Sequence, residues 1–231
     1  MKLFSTLFAT ALALSLGIVQ AQAATSSALS FSSSQSGGYS PAASVRGWAF
    51  EAQENFDIVA LGLIDITNGS IGIPGDGPGF ATAHSVVLWD NAGTELGRVT
   101  IQPGTASAVG PGNLNGPNVI RYESLANPIS VLTGNTYVVS AFFSQNSFDA
   151  NAANGFRSTT IFDSRIQSRG LRFGGTASHL FPTASDPRFS FNATSFLIAD
   201  AQQPPAVPLP ASGILLVMGI GGIAALRRKR R

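Results

Sequence analysis

The chain has 231 residues, and its formal charge of +2 comes from 14 Lys and Arg against 12 Asp and Glu. Six of those cations are Lys2 and the run 227–231, so residues 24–206 hold eight cations against twelve anions, and the overall basicity gives no ground for a nucleic-acid partner. Cysteine is absent, which excludes disulfide scaffolds and thiolate metal sites and leaves packing alone to hold a fold.

In chain order, Lys2 precedes an apolar run over 3–19 that ends in Ala21-Gln22-Ala23. That order predicts a signal peptide over 1–23, engaged by the Sec translocon and cleaved after Ala23. Residues 24–44 form a Ser/Gly-rich segment in which Leu29 and Phe31 alternate with serines, a candidate edge strand. From 45 to 199 short apolar runs alternate with turn residues, predicting strands over 45–50, 56–66, 85–89, 96–101, 119–123, 129–132, 136–143, 170–173 and 189–197. No sustained helical period interrupts them, and Gly-Pro pairs at 77–78, 110–111 and 116–117 punctuate the run. Asp90-Asn91-Ala92-Gly93 and Leu132-Thr133-Gly134-Asn135 read as hairpin turns, with Gly93 in the left-handed region. The predicted class is all-β, an antiparallel β-sandwich or jelly roll.

A Pro/Gln-rich linker over 200–206 leads to the last segment, 207–231. There Val207-Pro208-Leu209-Pro210-Ala211 precedes an uncharged stretch over 211–226 and the cluster Arg227, Arg228, Lys229, Arg230 and Arg231. Counted from Val207, the apolar stretch gives about 30 Å of helix, enough for one transmembrane span with the basic cluster on the cytoplasmic side.

This tail resembles the PEP-CTERM sorting signal in its VPLPA variant. The resemblance implies a Gram-negative bacterium that makes exopolysaccharide, and an exosortase-type membrane protease as processing partner. It also implies an inner-membrane intermediate followed by release to the cell surface or the extracellular space. Leu209 stands where the founding motif has Glu. A second likeness runs from Gly47-Trp48-Ala49-Phe50 through His84 to Asp90 and on to Leu132-Thr133-Gly134-Asn135-Thr136-Tyr137. It is similar to a small uncharacterised extracellular β-sandwich family and implies a fold and no chemistry.

Catalytic patterns are missing from the sequence. His84 and His179 lack a second ligand at metal spacing, no G-x-S-x-G elbow occurs, and His84 reads as a structural hydrogen-bonding residue. Asp57 and Asp65 share one predicted strand at an even spacing and so are expected on one face. No resident cofactor is expected; the one metal candidate is calcium at Asp76, in a Gly-Asp-Gly loop without EF-hand spacing. Trp48, Trp89, Tyr122, Tyr137 and the Phe142-Phe143 pair could stack on sugar rings if exposed, but alternation sends most of them to the core and leaves Phe156, Phe162 and Phe181 as the better candidates for exposed aromatic contacts. Three functions stay open. The first is a non-enzymatic structural or adhesive protein of the surface or biofilm matrix, with exopolysaccharide as a candidate partner. The others are a carbohydrate- or calcium-dependent binding module and a polysaccharide hydrolase.

Overall fold

The structure, a computed structural model, describes residues 24–31, 36–38, 42–66, 78–111, 119–145, 147, 149, 152–154, 160–177, 180–187 and 194–199. Ala24–Gln202 forms one compact unit. The predicted signal peptide over 1–23, the linker, and the tail 207–231 with its motif and basic cluster lie outside the described residues. Among the described residues there is no helix, and hence none long and apolar enough to cross a membrane.

Two antiparallel sheets carry the domain. The first runs β1 (Thr25–Ser27), β15 (Thr194–Ala199), β5 (Phe56–Asp65), β9 (Val119–Val131) and β8 (Ala108–Val109) in spatial order. The second runs β14 (Ala184–Asp186), β13 (Ile166–Gly174), β4 (Ser44–Ala52), β10 (Thr136–Phe143), β6 (His84–Asp90) and β7 (Glu95–Ile101). Two short pairs stand apart: β2 (Leu29–Phe31) with β12 (Thr160–Phe162), and β3 (Ser36–Gly38) with β11 (Ala152–Asn154). The arrangement fits the sandwich expectation.

Alternation explains the core. Leu61, Leu63 and Phe196 from the first sheet meet Trp48, Phe50 and Val139 from the second, all fully buried. The Phe196 ring lies 4.8 Å from Phe50 and 5.9 Å from Trp48, and Phe56 stacks on it from further along the sheet. The buried Trp48 indole spends its one donor on the Thr194 carbonyl at 2.9 Å, which ties the two sheets together.

The elements depart from the sequence expectation where pairing outweighs local pattern. Residues 119–131 form one strand because the pairing of β9 with β5 skips from Ser124↔Ala60 to Ile129↔Ile58, so Pro128 falls inside a bulge. The Ser-rich residues Thr25–Ser27 pair with β15 in the register Thr25↔Ala199, so the first sheet begins well before residue 45. Gly93 and Gly134 hold φ of 89° and 79° in their turns, as the hairpins require.

Candidate functional site

One end of the domain is organised by two buried carboxylates. Asp65, at the end of β5, accepts from Arg121 Nε at 2.8 Å and from the Gly79 N–H at 2.8 Å. Arg121 sits on β9, and its guanidinium also donates to the Thr105 carbonyl at 3.2 Å and the Ser107 carbonyl at 3.4 Å. Both partners are almost wholly buried. Asp149, after β10, accepts from the N–H groups of Ala81 and Thr82 and from the Thr82 hydroxyl. The segment 79–82 is therefore held by three backbone donors aimed at two carboxylates, with an antiparallel bridge between Phe80 and Gly104 beside them.

Asp149 also faces His84. Nε2 lies 2.8 Å from Asp149 Oδ2, and Nδ1 lies 3.1 Å from the Phe142 carbonyl oxygen. A carbonyl can only accept, and so can an ionised carboxylate, so both bonds form together only when both ring nitrogens carry protons. Burial pushes the Asp149 carboxyl up, but hydrogen bonds from His84 and from the Ala81 and Thr82 backbone outweigh it and hold the group below its ordinary value. The imidazole is packed between the Phe80 and Phe143 rings and is inaccessible to solvent. Buried and with both nitrogens bonded, His84 ties β6 to β10, in keeping with the structural role read from its position.

A third polar group lies on β9. Tyr122 reaches across Gly62 of β5 so that its hydroxyl meets Ser27 Oγ at 2.7 Å and Ser195 Oγ at 3.1 Å. Burial, partly opposed by the Ser195 and Ser27 hydrogen bonds, pushes this phenol up to about 12. It stays neutral and binds the edge strand β1 to the sheet.

The opposite end carries a surface groove of about 570 Å³ between the turn after β6 and the turn before β10. Asp90, Asn91 and Asn135 supply its polar wall, and Leu96, Ile129 and Leu132 its apolar one. The Asp90 carboxylate is already engaged by the N–H groups of Thr94 and Ala92; these hydrogen bonds, Thr94's first, lower its pKa.

The site residues expected from sequence fare differently. Asp57 and Asp65 do not share a face: the irregularity between Ile58 and Ala60 shifts the alternation, leaving Asp57 exposed and Asp65 buried. Phe162 and Phe181 are half-buried rather than presented outward. Phe162 packs 5.3 Å from Trp48, and Phe181 meets the Trp89 ring edge-on at 5.7 Å, covering an apolar patch of Ala49, Val87 and Val138. Trp48, Trp89, Tyr122, Tyr137 and Phe143 are buried and Phe142 is half-buried, so most of that set lies in the core as alternation predicts. Asp76, His179 and Phe156 lie outside the described residues. Asp149 and Arg121 escaped the sequence reading because their partners stand 65 and 56 positions away, with no motif linking them. Among the described residues no three His, Asp or Glu side chains converge as a metal cage.

Comparison with protein families gives one finding. Residues 76–198 match a model described as a domain of unknown function, DUF4082, over more than half of the chain. The matched stretch contains β6 to β14 and all of β15 but its last residue; β4 and β5, each flanked on both sides in its sheet, precede it. No curated protein matches the chain.

Proposed function

The chain belongs to the DUF4082 family, whose description names no activity, and from that premise we propose that it is an exported, non-enzymatic protein of the cell surface or extracellular matrix. In this reading it carries a PEP-CTERM-type tail, passes through an inner-membrane intermediate, and is processed by an exosortase-type protease. One observation carries the proposal: the order of Val207 to Ala211, an uncharged stretch, and five consecutive basic residues. The prolines cannot donate backbone hydrogen bonds and favour an extended chain that a protease cleft can engage as a strand. Supporting it, Thr25 and Ala199 are register partners, so the residues next to the signal peptide and to the linker leave the domain side by side.

A structural or adhesive role is favoured over hydrolysis by the state of the acids. Asp65, Asp149 and Asp163 are committed to internal Arg, His or backbone donors, which leaves them poor candidates for a convergent general acid and base pair. The groove of about 570 Å³ favours a second reading, a carbohydrate-binding module, because its mixed lining suits a ligand with polar edges and apolar faces.

The test is replacement of Pro208 and Pro210 together by Ala. Export should persist while C-terminal maturation stops and the longer form accumulates in the inner membrane. A variant of unchanged mature mass and location removes the sorting assignment.

A further inference from the structure

We propose that Arg46 and Phe173, neighbours across the β4–β13 pair, form a binding site for a carboxylated saccharide. This deepens the surface-protein reading and rests on it for the presence of such a polymer. The two residues are register partners, so their side chains leave the same face of the six-stranded sheet with Cβ atoms about 5 Å apart. It is the face that carries Trp48 and Phe50, and the pair lies one pleat beyond the Trp48–Leu171 partners, toward the start of β4, where the face is no longer fully covered. Phe173 is 40% exposed, unlike the aromatic rings of the core. Arg46 is half-buried, and its Nε donates to the Ser44 hydroxyl at 3.2 Å. Its terminal nitrogens bond to none of the described residues.

The charge pattern makes that arginine exceptional. Between residues 24 and 206 anions outnumber cations, so internal counterions are in surplus. Arg98, Arg121, Arg165 and Arg169 each take one, pairing with Glu95, Asp65, Asp163 and Glu51. Arg172 has no carboxylate among the described residues either, but it projects from the other face and donates to the Leu171 carbonyl. Among the described residues, Arg46 is the cation whose pKa burial lowers, with nothing opposing that effect. A guanidinium drawn partly out of water without an anion beside it costs stability unless an external anion completes it.

The chemistry of that anion follows from the neighbour. A planar guanidinium fork matches a carboxylate in bidentate geometry, and an exposed phenyl ring one strand away offers an apolar surface. A uronic acid has both complements in one ring: a carboxylate at its edge and an apolar face of C–H groups. A neutral hexose offers Arg46 only uncharged hydroxyl acceptors, and a small acyclic carboxylate such as acetate offers Phe173 no ring face.

The experiment measures binding of fluorescent galacturonic acid oligomers to the full chain in detergent, with neutral dextran and sulfated dextran oligomers as comparison probes. The uronide should bind and neutral dextran should not. Arg46→Gln should weaken uronide binding about tenfold or more, which is the loss of one charge-assisted interaction. Arg46→Lys, retaining charge without the fork, should fall between Arg46→Gln and the unmodified chain, and Phe173→Ala should weaken binding several-fold. Arg169→Gln, which removes a cation of the same sheet already paired with Glu51, should leave affinity unchanged. Melting curves confirm that each variant is folded, and Phe173→Ala carries the test if Arg46→Gln is not. The proposal is overturned if the uronide does not bind or if Arg46→Gln binds as tightly as the unmodified chain. It is equally overturned if Arg169→Gln loses as much as Arg46→Gln, or if the sulfated or neutral probe binds more tightly than the uronide. Failure here with normal Pro208/Pro210-dependent processing sinks this site alone, whereas retained uronide binding with unchanged processing of the proline variant sinks the sorting assignment alone.

Discussion

Replacing Asp65 by Asn removes one charge and almost no volume, which makes it a sensitive probe of the buried end of the domain. Gly79 N–H and Arg121 Nε share one oxygen, Oδ2, so the amide oxygen that replaces it can still accept from both, but no negative charge is left beside the Arg121 guanidinium, which stays in the interior with neutral acceptors only, the amide and the Thr105 and Ser107 carbonyls. Removing one partner of a buried ion pair costs about 3–5 kcal/mol, because the remaining charge is desolvated without compensation. A domain of this size loses about 2–4 °C of melting temperature per kcal/mol, so thermal unfolding followed by circular dichroism should shift down by about 6–20 °C. Adding Arg121→Met should then recover about 1–2 kcal/mol or more, since no buried charge is left and the methionine stem fills the space of the arginine stem. A double variant more stable than the single Asp65→Asn is the diagnostic result. If Asp65→Asn costs less than about 1 kcal/mol, or if Arg121→Met lowers stability further, the interior at this end is wet and the reasoning fails.

Two further outcomes follow from the same geometry. The Asp149 carboxyl is held below its ordinary value in the folded chain, so its contribution to stability is complete above the unfolded carboxyl range near about 4 and is lost as pH falls through the depressed folded value. Asp149→Asn should cost about 1.5–3 kcal/mol at neutral pH and flatten the acid limb of a melting-temperature profile; an unchanged acid limb would show that other groups set it. In the sheet interior, Gly47→Ala places a Cβ 2.0 Å from the Val139 carbonyl oxygen, a backbone atom, and should cost more than about 3 kcal/mol or prevent soluble folding. Gly97→Ala meets the Ile129 methyl at 2.5 Å, and this flexible group can yield. Comparable soluble yields and melting temperatures for the two variants would contradict the close approach of β4 and β10 at Gly47.

Local pattern was enough to establish the all-β class, the principal strands and the hairpin turns, because period-two burial and glycine-dependent turn geometry are properties of short stretches of chain. Trp48, Trp89 and Tyr137 belong to the aromatic set that alternation sends mostly to the core, and they are there. Alternation holds only while the pleat is regular, however. The irregularity after Ile58 separates Asp57 from Asp65 although their spacing is even, and the bulge around Pro128 joins two predicted runs into β9. Phe162 and Phe181 looked like surface aromatics because nothing local shows that Trp48 and the patch around Trp89 need covering. The pairs Asp65–Arg121 and His84–Asp149, the groove beside Leu132 and the placement of Arg46 against Phe173 emerge only in three dimensions. Each depends on which strands become neighbours, and strand order comes from burying two whole faces at once, a condition that no local window of sequence contains.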